Sequence, residues 1–311
     1  MATTLALIIG LTTLFFTVAL AFLEVFDIFT LGVFVVSFNI LQWLIAPYIV
    51  DAMYGVQEVP RSEMPRLYDI VERLSGRSGI NMPRVMLANI PIPNAFAYGS
   101  PLTGTRVAVT TGLLRTLEDE EVEAVIGHEL GHVKHGDVQV MMFVSVLPAL
   151  IYYIGYSLYL STTYSRRGER SSSSGAALLG SVSMLLYFIL TLLSLNLSRL
   201  REYYADRHSV SVVDDGARKL SEALAKIVTY TGRMGKVSDA RAFSNFKALF
   251  IADPDTAKRD AAGVEMMRGD GDQRLVERVL SSKVSGFDSF FEVFSTHPNI
   301  VKRLRELQSL R

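Results

Sequence analysis

The chain contains no cysteine among its 311 residues. Disulfide bonds and thiolate metal ligands are therefore excluded, and any metal site must be built from histidine, aspartate or glutamate. Histidine is also scarce, with five in the whole chain. Neither sign of charge is in excess, because 31 basic residues balance 31 acidic ones. We predict no nucleic-acid partner for a chain with this balance.

Charge is missing altogether from four stretches, each more than twenty residues long. As a helix, a stretch of this length spans about 30 Å, the thickness of the hydrocarbon core of a bilayer. A buried helix of a large soluble protein is the alternative, but it is a poor explanation for four such stretches. We therefore predict an integral membrane protein with four transmembrane helices, at Thr3–Leu23, Ile28–Val50, Val138–Leu160 and Ala176–Ser198.

The first apolar stretch has the position of a signal peptide but not its other features. Met1 to Gly10 carries no lysine or arginine, and no clear small-residue cleavage site precedes Glu24. We predict a retained membrane anchor.

Arginines beside the second and fourth apolar stretches favour a cytoplasmic location for the polar parts of the chain, by the positive-inside rule. These are Arg61, Arg66, Arg199, Arg201 and Arg207. The basic loop that holds Arg166, Arg167 and Arg170 would lie on the opposite side if all four stretches cross, and it opposes this orientation.

The apolar stretches divide the chain into four parts. Residues 1–50 and 138–198 are predicted to form two transmembrane hairpins. Residues 51–137 and 199–311 are polar and are predicted to carry the function.

Within the polar parts, helical patterns outnumber short strands, so the fold is predicted to be mainly α with a small β-sheet. Strands are predicted at Arg84–Ala88 and Arg106–Thr111, and Thr116 is the predicted N-cap of the helix that follows. Ser161–Gly175 and Asp253–Asp272 are poor in large apolar residues and are predicted to be mobile surface segments.

Three of the five histidines lie within eight positions of one another, in the stretch VIGHELGHVKHGD at Val125–Asp137. On a helix, His128 and His132 share a face, with Cβ atoms about 5–6 Å apart, and they can bind one metal ion. Glu129 projects at a neighbouring angle, as the general base of a HExxH zinc metalloprotease does. The alternative is a solvated helix face, which does not explain why glycines precede His128 and His132.

A catalytic zinc site usually has three protein ligands and one water. If the third and fourth apolar stretches form an antiparallel hairpin, their outer ends lie about 8–10 Å apart. This arrangement carries Glu202 towards His128 and His132 as the third ligand. Asp206 lies four residues on, on the same helix face, where it can accept a hydrogen bond from a ligand histidine. The alternative for Glu202 is a surface acid beside Arg201.

The remaining histidines are predicted to have lesser roles. His135 is predicted to lie on the surface or cap the turn at Gly136, and His208 to be structural. His297 precedes Pro298, which makes the backbone there extended, and alone it would be an ordinary loop histidine.

Together these motifs resemble the HtpX family, the membrane-bound group of M48 zinc metalloproteases. The resemblance rests on HELGH at His128–His132, EYYAD at Glu202–Asp206 and STHP at Ser295–Pro298. It extends to NAFAYG at Asn94–Gly99 and VAVTTGLL at Val107–Leu114, which resemble an edge strand and the strand leading to the metal helix.

The resemblance implies a zincin-like catalytic domain of the gluzincin type, built from the two polar stretches, with one Zn²⁺ per chain. It implies that His128, His132 and Glu202 bind the zinc, that Glu129 is the general base and that Asp206 orients a ligand.

The resemblance also places His297 and Arg303 near the substrate, where they would donate hydrogen bonds to the oxyanion. An extended substrate would pair with the edge strand. The strand residues are Asn94, Ala95, Phe96, Ala97 and Tyr98.

The activity implied is zinc-dependent cleavage of misfolded or damaged membrane proteins, from the cytoplasmic side of the bilayer. Three alternatives remain open. A Ste24-type processing protease would have more membrane helices. Intramembrane cleavage would place HExxH inside an apolar run, whereas charged residues flank it here. A non-catalytic metal-binding scaffold would need a fourth protein ligand, for which His135 is the obvious choice.

Overall fold

The computed structural model describes residues 28–137, positions between 139 and 156, and residues 170–234, 272–282 and 286–310. The predictions for Thr3–Leu23 and for nearly all of Asp253–Asp272 fall outside these residues. The chain divides into two compact units. One consists of Met1–Trp43 and Gln139–Ser198, and the other of Leu44–Val138 and Arg199–Arg311.

The described elements are numbered here in chain order. They are α1 Ile28–Tyr54, β1 Val56–Glu58, α2 Pro65–Ser78, β2 Arg84–Ala88, β3 Ala95–Ser100, β4 Gly104–Thr110, α3 Thr111–Thr116, α4 Asp119–Lys134, α5 Arg170–Val212, α6 Gly216–Met234, α7 Asp272–Ser281, α8 Gly286–Glu292 and α9 Ile300–Ser309.

Two of these helices are long and apolar enough to cross a membrane. The stretches are Gly32–Tyr54 in α1 and Gly180–Val212 in α5, and they are the two found among the described residues. In the most apolar 18 residues of each stretch, only 6% are buried in α1 and 11% in α5. Core helices of a soluble domain, in contrast, are mostly buried. Two of the four predicted transmembrane segments are thereby found as apolar helices.

The third apolar segment is described only at some positions, and those between 139 and 156 are helical. Within its unit this segment lies against α5. The rings of Tyr152 and Tyr187 are 5.0 Å apart, and a Cβ on Gly155 would come within 2.7 Å of Ser183. Residue numbers rise on one helix as they fall on the other, which is the pairing expected of an antiparallel hairpin.

The predicted small sheet is present and has four strands in the order β1-β2-β4-β3. β2 and β4 are parallel, with Val85 opposite Val107, and they match the two strands predicted from the sequence. β3 runs antiparallel to β4 and forms an edge of the sheet, with Ala97 opposite Val107. The fold is mainly helical with a small sheet, as predicted.

Helix α4 is buried in the centre of the polar unit, between the sheet and the surrounding helices. Val125, Ile126 and Leu130 are fully buried in one cluster that also contains Leu224 of α6 and Leu304 of α9. A helix enclosed on so many sides holds its backbone in one position, which is what a site built on that helix requires.

Two glycines allow α5 to approach α4 closely. A Cβ on Gly131 would lie 2.9 Å from Cα of Ala205, and one on Gly127 would lie 3.0 Å from Oγ of Ser209. That hydroxyl donates a hydrogen bond of 2.6 Å to the carbonyl of Ala124. The small residues around the histidines therefore set the distance between the helix that carries the histidines and the helix that carries Glu202.

Two local predictions are wrong. The N-cap of α4 is Glu118, not Thr116, because Glu118 forms a capping box with Glu121 while the Thr116 hydroxyl donates back to Gly112 in the last turn of α3. The predicted loop Ser161–Gly175 is also too long at its C-terminal end, because its residues from Arg170 onward belong to α5. The fourth apolar segment and the Glu202 helix are thus one helix of 43 residues.

Candidate metal centre

Three side chains converge where α4 meets α5. The Nε2 atoms of His128 and His132 lie 3.2 Å apart. The carboxylate of Glu202 completes the group, with Oε2 at 3.7 Å from Nε2 of His128 and Oε1 at 3.5 Å from Nε2 of His132. His128 and Glu202 are buried, and His132 is partly exposed.

The far side of each imidazole faces a carboxylate. Nδ1 of His128 lies 2.8 Å from Oδ1 of Asp206, and Nδ1 of His132 lies 2.6 Å from Oδ2 of Asp137. An ionised carboxylate only accepts hydrogen bonds, so each Nδ1 carries the proton. Each Nε2 then presents a lone pair to the centre of the group.

The geometry of the two Nε2 atoms and the two carboxylate oxygens of Glu202 fits a metal cation. Two lone pairs facing each other across 3.2 Å cannot share a hydrogen bond, and a positive ion between them removes their repulsion. With metal–ligand bonds of about 2.0–2.1 Å in a tetrahedron, neighbouring ligand atoms are about 3.3 Å apart. The observed separations of 3.2, 3.5 and 3.7 Å are close to that value.

Glu129 is buried beside the two histidines and faces the edge of the sheet. The backbone N–H of Ala97 in β3 donates a hydrogen bond of 2.9 Å to its Oε2. Burial raises the pKa of the Glu129 carboxyl above its ordinary value. The side chain is therefore held in place through one oxygen, at a position beside His128 and His132.

Arg303 lies behind the acids of α5. Its Nε and Nη2 donate to the two carboxylate oxygens of Asp206, at 2.9 and 2.6 Å, and its Nη1 lies 3.2 Å from Oε2 of Glu202. The side chain is 2% exposed. Burial alone would lower the pKa of Arg303, but the charges of Asp206 and Glu202 raise it above the ordinary value. The resemblance implied that this guanidinium would donate to the oxyanion. In the structure it contacts the carboxylates of Asp206 and Glu202.

The other three histidines lie at different distances from the group. Nε2 of His297 is 3.7 Å from Oε1 of Glu202, and its Nδ1 is 3.0 Å from the hydroxyl of Thr296. His135 is the exposed C-cap of α4, and the Nε2 of His208 is 2.9 Å from Oγ of Ser78. His297 therefore borders the group, and the other two have local structural contacts.

The predicted substrate strand is β3 with the residue before it. Asn94 is buried, and its N–H donates to Oγ1 of Thr110. The side chains of Phe96 and Tyr98 pack inward, and the Tyr98 hydroxyl donates to Asp51 at 2.6 Å. From this edge, the backbone N–H of Ala97 reaches Glu129 beside the two histidines.

Comparison with known proteins places the chain in a family. The family model described as "Peptidase family M48" matches residues 61–311. This chain belongs to peptidase family M48. The Protease HtpX homolog of Thermoplasma acidophilum is 39% identical to it, over 90% of this chain and 84% of the relative. That of Aeropyrum pernix is 37% identical, over 91% and 86%. The family resemblance seen in the sequence is confirmed.

Among solved structures, the M48 chain is similar to S. mikatae Ste24p, with a TM-score of 0.56 and 17% identity. The similarity covers 98% of this chain and 64% of the Ste24p chain, and it shows a shared fold.

Among the described residues, Asp137 is a contact of His132 that was not predicted from the sequence. The M48 chain reverses direction at Gly136, whose φ of 64° is costly for other residues, and this turn brings Asp137 back against His132. Arg201 of α5 pairs with the other oxygen of Asp137. The available signal was a Gly-Asp pair directly after the histidine helix.

Proposed function

We propose that this M48 chain is an integral membrane zinc endopeptidase that cleaves misfolded or damaged membrane proteins from the cytoplasmic side. One observation carries the proposal: two imidazole Nε2 atoms and a carboxylate converge beside a buried glutamate, next to the edge of a sheet. Residues 51–137 and 199–311 would form the catalytic domain, and 1–50 and 138–198 the membrane hairpins.

His128, His132 and Glu202 are the proposed zinc ligands, one ion per chain. Nitrogen and carboxylate donors in a group of three are typical of catalytic zinc, which keeps a further position for water or substrate. Zinc in this position would polarise a scissile carbonyl and make water acidic enough to lose a proton near neutral pH. Asp206 and Asp137 hold the two rings in the tautomer that the ligands need.

Glu129 is the proposed general base. Its Oε2 already accepts the N–H of Ala97, which leaves Oε1 to take a proton from the attacking water. The same carboxyl would then pass that proton to the departing amine.

We assign roles to His297 and Arg303 from the groups that they contact. His297, at the border of the metal group, is the proposed donor to the developing oxyanion. For Arg303 we propose a positioning role in place of the oxyanion role, because its donors are directed at Asp206 and Glu202. It would hold both carboxylates while remaining away from the substrate.

The proposed substrate is an extended, loosely structured segment near the bilayer. It would pair with the backbone of β3, which forms a sheet edge and makes few demands on sequence. The charge-free stretch of α5 ends at Ser198, four residues before Glu202, or about 6 Å along the helix. A site this close to the membrane end of its helix reaches juxtamembrane segments first.

Metal content and peptide cleavage of the purified protein in detergent test the proposal. Glu129→Gln should retain zinc and lose cleavage of an unfolded protein such as casein, and Glu202→Ala should lose both. Glu63→Gln, at an exposed position, is the matched control and should behave as the parent chain does. Normal cleavage by Glu129→Gln, or full zinc occupancy in Glu202→Ala, would contradict the assigned roles.

The absence of cysteine makes the orientation testable by single labelling. A Glu63→Cys variant in sealed inside-out and right-side-out vesicles should react with a membrane-impermeant maleimide only in the inside-out preparation. Labelling in right-side-out vesicles alone would place the polar unit on the other side of the membrane.

The scaffold alternative requires a closed site with four protein ligands. In the described residues, the group of mutually close ligand atoms that includes histidines consists of His128, His132 and Glu202, and His135 is an exposed helix cap outside it. Zinc-dependent cleavage that chelation abolishes would reject the scaffold, and zinc binding without any cleavage would support it.

A further inference from the structure

A pocket of about 500 Å³ opens between α5 and α9, away from the metal group. On the α5 side it is lined by Leu200, Tyr203, Tyr204 and Arg207, a spacing of three, four and seven that forms one helix face. On the α9 side it is lined by basic side chains, among them Arg305. We call this cavity the juxtamembrane pocket.

We propose that the juxtamembrane pocket binds the phosphate headgroup of an anionic phospholipid. Its lining residues include three bases, Arg207, Lys302 and Arg305, and one acid, Glu306. Arg207 and Glu306 pair at 2.5 Å, yet the Arg207 side chain remains 57% exposed. Arg305 is exposed and has no ion pair within the described part of the chain. Lys302 is paired with Glu292, so the net positive charge that the pocket offers to an incoming anion is that of Arg305.

The position of the pocket on α5 matches the headgroup layer. The charge-free stretch ends at Ser198, so Leu200 and Tyr204 follow about 3 Å and 9 Å farther along the helix axis. Tyrosine is enriched at this depth because its ring is apolar and its hydroxyl is polar. Side chains on a helix tilt towards its N-terminus, which for Arg207 is the direction of the apolar stretch.

A phospholipid fits the lining better than a soluble phosphate does. The wall nearest the apolar stretch is formed by Leu200, which is 45% exposed, and by the ring of Tyr204, which is 59% exposed. Apolar surface of this kind binds acyl chain or glycerol, while the bases on the far wall bind phosphate. Glu202 and Asp206 are directed to the metal group, so the pocket and the metal centre use different faces of α5.

Lipid binding by the purified full chain in a neutral detergent tests the proposal. Native mass spectrometry would count bound phosphatidylglycerol and phosphatidylcholine, added at equal concentration. We expect a preference for phosphatidylglycerol that falls about fivefold or more in Arg305→Glu and is recovered in Arg305→Lys. Arg115→Glu, a charge reversal at an exposed residue of α3, should leave the preference unchanged.

Each other outcome counts against the assignment. Equal binding of the two lipids, or an equal loss in Arg115→Glu, would overturn the pocket as the source of any preference. Inorganic phosphate and glycerol 3-phosphate form a separate arm, read by competition with the lipid. If either displaces phosphatidylglycerol at millimolar concentration, the pocket takes free phosphate and the lipid assignment is wrong.

Discussion

Oδ2 of Asp137 lies 2.6 Å from Nδ1 of His132, while the other oxygen of the same carboxylate pairs with Arg201. The ring is therefore held by a residue that follows its own helix and, through that residue, by the helix that carries Glu202. Asp206 and Arg303 form the corresponding arrangement on the other ring, where Asp206 faces His128. Each imidazole of the candidate metal centre thus has an aspartate behind it and an arginine behind the aspartate.

We predict that Asp137→Asn weakens zinc binding about 10–100-fold, the usual effect of removing a carboxylate that supports a ligand histidine. The amide keeps the size of the side chain but not the charge that fixes the proton on Nδ1. Competition with a chromophoric chelator measures the affinity directly. Asp214→Asn, with a side chain 85% exposed, is the control. Equal affinity for both variants would show that Asp137 has no part in orienting the ring.

Arg303 should be a major contributor to stability. Removing it leaves Asp206 and Glu202 buried without their compensating charge, so we expect Arg303→Ala to lower the free energy of unfolding by about 3–5 kcal/mol. Arg66→Ala, at a side chain 85% exposed, should cost less than about 1 kcal/mol. Denaturant unfolding in detergent is the measurement. In the double variant with Asp206→Ala the two losses should be less than additive, and full additivity would refute the pairing.

The sequence predicts well those features that depend on short-range spacing along the chain. The spacing of His128 and His132 defines their common face without any knowledge of the rest of the fold. Glu202 lies far away in the chain, and its place followed from treating two apolar stretches as a hairpin. The actual arrangement is simpler, because α5 continues unbroken from the apolar stretch into the site.

The sequence predicts poorly those features that depend on which of two neighbouring residues caps a helix, or on how distant helices pack together. Thr is a preferred N-cap residue and Glu is not, but the Thr116 hydroxyl already bonds to Gly112 in α3, and Glu118 caps α4 through its capping box with Glu121. Arg303 belongs to a motif near the site, but the side on which its guanidinium lies depends on how α9 packs against α5. Asp137 needs the reversal at Gly136, a backbone conformation that the sequence permits without requiring.

The distance between α4 and α5 should be sensitive to one methyl group. A Cβ at Gly131 would lie 2.9 Å from the backbone of Ala205, so Gly131→Ala should destabilise the protein. Overpacking should cost about 1–3 kcal/mol, and the better helix propensity of alanine should offset about 1 kcal/mol of that cost. Gly76→Ala is the matched control in α2, where nothing lies within 4 Å, and it should be stabilising. Thermal unfolding of the two variants in the same detergent gives the comparison. Equal shifts of the same sign would mean that the helices are not in close contact at Gly131.

Tyr98 should make stability depend on alkaline pH. Burial first, and then its hydrogen bond to Asp51, raises the pKa of the Tyr98 phenol above its ordinary value of 10.0. Above pH 10 the unfolded chain therefore releases this proton while the folded chain keeps it, and the free energy of unfolding falls as pH rises. At pH 8 both states hold the proton, and Tyr98→Phe should cost only the hydrogen bond, about 1 kcal/mol.

Unfolding temperatures of the parent chain and Tyr98→Phe at pH 8 and at pH 10.5 separate these two contributions. The parent chain should lose more stability than the variant between the two pH values, because the variant has no phenol at this position to titrate. Every other tyrosine is common to both proteins, so its titration cancels in the difference. Parallel pH dependences would mean that the Tyr98 phenol ionises as readily in the folded chain as in the unfolded one, and that its contact with Asp51 does not link α1 to the edge strand.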